Sequence, residues 1–218
     1  MTKNVSTAET QNLSQPLQDL LDFVKFLNIF RSIRRVIWFK GTRGRERDGE
    51  HCFQLALVAW FLNERMKLGM DLLRLISVAL VHDLVETYAG DTSCLPDLSG
   101  RIRTLSKATK QEREEASLRR IEFEWGSKIP SILEAIREYE AQETEASRFL
   151  KALDKLVSVI NIYQDNGRTL KKLHTLFEPW DAYKRPHMAR HLVIKELYEE
   201  LRVILMMRKD LYYSPTVA

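Results

Sequence analysis

The chain has 218 residues, 44% of them hydrophobic, enough to build a substantial core in one domain or a tight pair and to exclude disorder of the whole chain. Its 34 Lys and Arg against 30 Asp and Glu leave a net charge of +4, an evenly mixed excess that suits a small anionic ligand and argues against a nucleic-acid coat. Its two cysteines, Cys52 and Cys94, form neither a disulfide framework nor a CxxC pair, so a reducing cytoplasm is the natural compartment.

The opening MTKNVSTAETQNLSQP is polar, lacks an apolar signal segment and reads as a flexible tail over residues 1–15. No stretch reaches the roughly 18 apolar residues of a membrane span. With 8 Gly and 6 Pro there are few breakers, and the spacing between them is helical, which predicts an all-α protein. A first helix is expected from about Leu17 to Arg34, with Leu20, Leu21, Val24, Leu27 and Ile29 or Phe30 at three- and four-residue steps. Ser14 and Pro16 mark its start. The polar loop KGTRGRERDG leads into a helix from about Glu50 to Lys67, whose LALVAWFL is apolar on nearly every face and therefore central. Asp71 is a candidate N-cap for a helix that carries LLRLISVALVHDLVETY until Gly90 ends it. Residues 92–109 mix Ser, Thr, Pro, Gly and basic residues and read as a long loop, a candidate lid. Helices follow at about 110–126, 130–141, 145–165 and 187–208. The spacing thus predicts one helical domain over 16–210 and a short C-terminal tail over 211–218.

Next to the apolar run of the third helix, VHDLVETYAGD sets His82, Asp83, Glu86 and Asp91. Buried ionisable groups cost several kcal/mol each unless they are paired or bound to metal. A divalent transition ion takes imidazole nitrogen and carboxylate oxygen together, and His82 with Asp83 offers both. Neighbouring residues on a helix point about 100° apart, so they converge on one ion only where the helix presents its edge to a cavity between helices. Partners must come from elsewhere. Two are visible: His51 in GEHCFQLAL and Asp154 in FLKALDKLVSVI, each interrupting an apolar pattern. Singly, each also has the look of a cap or a satisfied core group.

The pattern H…HD…D, extended as HDLxExxxGD with ERDGEH upstream and KALDKL downstream, resembles the HD-domain metal-dependent phosphohydrolases, and within them the 5′-deoxynucleotidase branch, over about residues 17 to 165. The resemblance implies a helical bundle with a metal site between its helices. It implies His51, His82, Asp83 and Asp154 as ligands of one divalent ion (Mn, Co, Fe, Ni or Zn), Glu86 and Asp91 as catalytic or supporting carboxylates, and a homodimer. Glu86 lies one turn beyond Asp83 and faces the same cavity, placed to orient or deprotonate a metal-bound water. Asp91, just past Gly90, either serves the leaving group or caps the next turn.

Arginine's planar fork fits phosphate better than lysine's ammonium, and the family places one arginine, closely followed by an aromatic residue, about fifteen residues before its first metal histidine. Arg35 is the match and Arg34 the alternative; the other basic residues before His51 read as a solvated face. Here the chain departs from the family's Arg-Trp pair, because Val36 and Ile37 intervene before Trp38. Cys52 also replaces the usual serine, and the expected proline is displaced to Pro96. Lys107 and Lys110 reach a phosphate if the 92–109 loop closes, whereas Trp180, His187 and His191 read as packing and surface. The expected activity is removal of phosphate from (deoxy)nucleoside 5′-monophosphates by metal-activated water, on a small phosphate ester with no stable nucleic-acid or membrane partner. The alternatives are hydrolysis of a nucleoside triphosphate or another phosphometabolite, or a non-catalytic helical binding module.

Overall fold

Residues 13–38, 44–92, 98–100 and 105–214, the parts that the computed structural model describes, form ten α-helices, a short 3-10 helix at Lys209–Leu211 and one short hairpin. Helix α1 (Gln15–Phe30) starts with a proline in its first turn, where the missing N–H is no loss. It stops at Phe30, and the chain passes into strand β1 (Arg34–Trp38), antiparallel to β2 (Arg45–Arg47), with Arg34 opposite Arg47 and Trp38 opposite Arg45. The expected helix through Arg34 and the polar loop after it are corrected on this point. RRVIW alternates, with Arg34 exposed and Arg35 and Ile37 buried, which is the period of a strand. The alternation is only five residues long and abuts a strong helical pattern.

Helix α2 (Asp48–Arg65) opens with Asp48 and Glu50 in its first turn, where acidic groups meet the positive end of the helix. Glu50 also accepts the backbone N–H of Arg47 at 3.0 Å. Helix α3 (Leu72–Val81) is capped by Asp71, which accepts the N–H of Arg74 at 3.0 Å. The expected continuous helix to Tyr88 breaks here: residues 82–85 form turns, and a one-turn helix α4 (Glu86–Ala89) follows. The N–H groups of Leu84, Glu86 and Thr87 donate to the carbonyls of Val81, Asp83 and Leu84, three residues back rather than four, at 2.8 to 3.0 Å. This tighter winding re-aims the side chains it carries. Gly90, at φ 73°, ends the segment in a conformation that favours glycine.

Helix α5 (Lys107–Trp125), capped by Ser106, begins inside the stretch expected as a lid. The rest of that stretch falls largely at 93–97 and 101–104, outside the described residues. Helices α6 (Pro130–Ala141) and α7 (Glu145–Gln164) follow, and α7 packs against α2, α3, α6, α9 and α10. It buries Phe149, Leu150, Leu153, Leu156 and Val157 along its length, each worth ~1.5–3 kcal/mol of burial for the largest of them. Beyond it, the single helix expected over 187–208 is two, α9 (Phe177–Met188) and α10 (Leu192–Met207), preceded by the short α8 (Arg168–Lys172). The C-terminal stretch expected as a tail packs inward at its start: Leu211 is 0% and Tyr212 7% exposed. Gly167, at φ 68°, lets it do so, because a β-carbon there would collide with the Leu211 carbonyl.

The core has two apolar clusters, one centred on α2, α3, α7 and α10 and one joining Phe26 and Phe30 of α1 to Ile121 and Trp125 of α5. Val78 and Ala79 belong to the first cluster, Leu84 and Val85 to the second. The turn that carries His82 and Asp83 therefore spans the seam between them.

Candidate metal centre

Three segments bring the expected ligands to that seam. His51 from the first turns of α2, His82 at the end of α3 and Asp154 midway along α7 are all buried and offer donor atoms within 4.8 Å of one another. His51 Nε2 lies 3.0 Å from Asp154 Oδ1, and His82 Nε2 lies 3.1 Å from Asp83 Oδ2. A second group, Asp48, Asp83 and Glu86, meets the same 4.8 Å limit, so Asp83 links the histidines to the acidic side. His82 Nδ1 stands 2.8 Å from the carbonyl oxygen of Ala79; that carbonyl only accepts, so Nδ1 carries the donated proton and Nε2 faces the centre. Ligand histidines are commonly held this way.

Arg35 enters the same cluster. Its Nε is 3.2 Å from Glu46 Oε2, its Nη1 2.5 Å from Asp83 Oδ2 and 3.6 Å from Asp48 Oδ1, and its Nη2 3.6 Å from Asp154 Oδ1. Asp91 Oδ2 accepts the backbone N–H of Val36 at 3.0 Å, which ties β1 to the end of α4 rather than capping a following turn. Arg34 and Trp38 are not brought in. Arg34 lies on the exposed side of β1, and Trp38 donates its backbone N–H to Thr169 Oγ1 at 3.0 Å while its ring sits under the Lys172 ammonium. Lys107 is exposed, and His187 and His191 are half-buried; His187 feels the charges of Lys155, Lys184 and Asp154, and His191 lies 3.7 Å from Glu145.

Two buried carboxylates, Glu46 and Asp48, join the centre; both lie in the ERDGEH stretch of the family pattern, but neither is assigned a role from the sequence. In ERDGEH they look like part of a solvated charge run, and only the hairpin turns them inward. Asn161 Nδ2 holds Glu46 Oε1 at 3.0 Å. Burial, then Asp83, pushes Asp48 up to about 8, and burial pushes Glu46 up to about 7. Burial, then Asp91 and Asp83, holds Glu86 well above the usual carboxylate range. Burial, then Arg35, brings His51 down to about 4. Asp83 and Asp154 are held low against burial, the first by His82 and Arg35, the second by Lys155 and His51.

Despite these approaches, Arg35 Nε, both oxygens of Asp48, Glu46 Oε2, Glu86 Oε2, His51 Nδ1 and His82 Nε2 make no hydrogen bond of acceptable geometry among the described residues. Buried polar atoms left this way are uncommon and need a reason. Imidazole nitrogen beside surplus carboxylate oxygen is the donor set of a divalent transition ion, and the residues present fit one. The centre opens into a pocket with Arg35, Asp91, Lys110, Lys155 and Lys184 on its polar side and Ile37, Ile162, Leu170, Leu173 and Trp180 on its apolar side.

The HD domain family model matches residues 27–191, a span that contains every residue of this centre. Over 188 residues, 84% of this chain and 88% of the relative, the sequence is 24% identical to 5′-deoxynucleotidase HDDC2 of Xenopus laevis. It is 26% identical to the Mus musculus protein of the same name over 83% of this chain and 87% of the relative. Among solved structures, a protein described as a predicted metal-dependent phosphohydrolase from Magnetospirillum magnetotacticum MS-1 superposes with a TM-score of 0.73 at 25% identity, covering 91% of this chain and 98% of that one. The chain belongs to the HD-domain family of metal-dependent phosphohydrolases.

Proposed function

We propose that the chain removes phosphate from a (deoxy)nucleoside 5′-monophosphate, with one divalent ion (Mn, Co, Fe, Ni or Zn) held by His51, His82, Asp83 and Asp154. One observation supports this reading: Arg35, Lys110 and Lys155, which touch Asp83, Glu86 and Asp154 of the centre, also line a pocket whose apolar wall is Ile162, Leu170 and Trp180. That layout takes a phosphate at one end and a base or sugar at the other. The names of the relatives support the substrate class.

A bound ion supplies Lewis-acid polarisation of the phosphoryl oxygens and an acidified water as nucleophile. The chain does the rest. His51, lowered to about 4, is neutral at physiological pH and presents a nitrogen lone pair. Burial, then Asp91 and Asp83, makes Glu86 hold a proton more tightly than an ordinary carboxyl, which suits a group that accepts one as a general base. Asp91, fixed through Oδ2 to the Val36 N–H, keeps its other oxygen for the leaving group.

The test is release of inorganic phosphate from a panel of nucleoside and deoxynucleoside 5′-monophosphates with Mn²⁺ or Co²⁺, beside Asp83→Ala. Release by the wild type alone is expected. Release that survives in Asp83→Ala, or no release from any monophosphate, overturns the reading, and pyrophosphate or tripolyphosphate from a triphosphate would redirect it.

The working form is a homodimer. Phe53, Leu57, Trp60 and Phe61 recur at three- and four-residue steps on α2 and are exposed, as are Leu73 and Leu80 of α3, and an apolar patch of this kind favours burial in an interface. Light scattering at a range of concentrations checks it, with Phe61→Glu expected to shift the mass toward the monomer. The cytoplasm fits a chain whose Cys52 is a buried free thiol and in which no described helix is long and apolar enough to cross a membrane. Its partner is a small phosphate ester rather than nucleic acid, consistent with the mixed charge of the sequence.

A further inference from the structure

All three nitrogens of the Arg35 guanidinium already face carboxylates: Nε faces Glu46 at 3.2 Å, Nη1 Asp83 at 2.5 Å and Nη2 Asp154 at 3.6 Å. Among the described residues only Nη1 is hydrogen-bonded, to Asp83, but with carboxylates on every side the charge of Arg35 is already offset within the chain and draws a phosphate less strongly. Lys110 is engaged too, donating to the Thr92 carbonyl at 3.0 Å and pairing with Glu114 at 3.4 Å. The other cations of the pocket are Lys155 on α7 and Lys184 on α9, two helices packed against each other.

Lys155 gives one contact, to Asp154 Oδ2 at 2.7 Å, so an ammonium with three donors keeps two. Lys184 makes no hydrogen bond or ion pair with any described residue, yet it is half-buried and lines the pocket. Burial, then Lys155, pulls it down to about 7. Two ammonium groups turned into one partly desolvated pocket oppose each other, and an anion between them relieves that opposition.

We propose that Lys155 and Lys184 bind the non-bridging oxygens of the scissile phosphate, while Arg35 serves as the internal counter-cation that spaces the carboxylates. The proposal rests on the phosphomonoester reading above. Lys155 adjoins a ligand residue, so its removal would report on both roles; Lys184 gives the clean test.

The experiment uses the full chain loaded with Mn²⁺. Calorimetry measures the affinities for inorganic phosphate and for Mn²⁺, and steady-state phosphate release gives KM and kcat, for wild type, Lys184→Met, Lys184→Arg and the exposed control Lys195→Met. Loss of one charge-assisted contact predicts about tenfold weaker phosphate binding and a KM raised to match in Lys184→Met. Mn²⁺ affinity and the thermal midpoint should hold, and Lys184→Arg and Lys195→Met should stay near the wild type. Phosphate affinity and KM within about twofold of wild type in Lys184→Met, or an equal loss of Mn²⁺ affinity, overturns the proposal. Should the wild type bind phosphate through Lys184 yet hydrolyse no monoester, the clamp stands and the substrate reading falls; hydrolysis indifferent to Lys184 does the reverse.

Discussion

Two buried carboxylate clusters in this molecule are built to opposite rules. On α9, Asp181 accepts the Tyr198 hydroxyl at 2.5 Å on Oδ1, and Arg202 Nε approaches Oδ1 at 3.0 Å and Oδ2 at 2.9 Å. Each oxygen has a donor, and the cluster is closed. On α2, Asp48 is 0% exposed and neither of its oxygens has a hydrogen-bond partner. The same chain satisfies one buried carboxylate and leaves another open, and among the described residues the buried carboxylate oxygens without a donor all belong to Glu46, Asp48 and Glu86 at the seam. A closed network specifies structure, whereas an open one keeps capacity for a ligand.

The contrast breaks most visibly if it is tested on activity. Asp83→Ala should lower phosphate release by about a thousandfold and lose the ion, read by metal analysis of the dialysed protein; a variant that keeps both would place Asp83 among structural carboxylates. Next in size is the response to the ion itself. At a hundredfold excess over Kd, Mn²⁺ should stabilise the chain by about 2.7 kcal/mol, and the gain should depend on pH. Asp48 is raised from 3.8 to about 8 and Glu46 from 4.5 to about 7, so the folded, ion-free chain holds extra protons across that window. Its stability therefore falls as pH rises from about 4 to 8, and an ion that displaces those protons binds better at the upper end. Thermal midpoints with and without Mn²⁺ should diverge from pH 6 to pH 8; a constant difference would contradict the open-cluster description.

The closed cluster should behave differently. Arg202→Met leaves Asp181 short of its charged partner and should cost about 2 kcal/mol in urea unfolding, with KM for the monophosphate unchanged. The smallest effect sharpens the comparison by sign. Asp48→Asn removes a buried carboxylate that has no hydrogen-bond partner among the described residues and only a 3.6 Å approach from Arg35, and should stabilise the ion-free chain by about 1 kcal/mol at pH 8, while Asp181→Asn should destabilise it. Equal signs in the two variants would remove the distinction.

The helical framework was legible because the apolar spacing of α2, α6 and α7 is long and regular. The residues of the candidate centre stand out for a related reason: His51 and Asp154 are polar residues inside such patterns, and His82 with Asp83 closes one. What escaped was decided by short-range geometry. The hairpin depends on a five-residue alternation, and Glu46 and Asp48 turn inward only because β2 and the start of α2 follow it. The break at His82 is hidden in a run whose apolar periodicity continues past it; the change from four- to three-residue hydrogen bonding leaves no mark in residue types. Lys184 lies on a helix the periodicity did not predict, where a lysine in YKRP reads as surface.

Arg35 sets the charge balance of the seam. Its guanidinium places a cation from within the chain beside four carboxylates, so part of their mutual repulsion is offset by the protein itself. A neutral side chain at this position would leave the acidic groups to repel one another, and the seam is thus a charge lattice held together by a single residue of a five-residue strand.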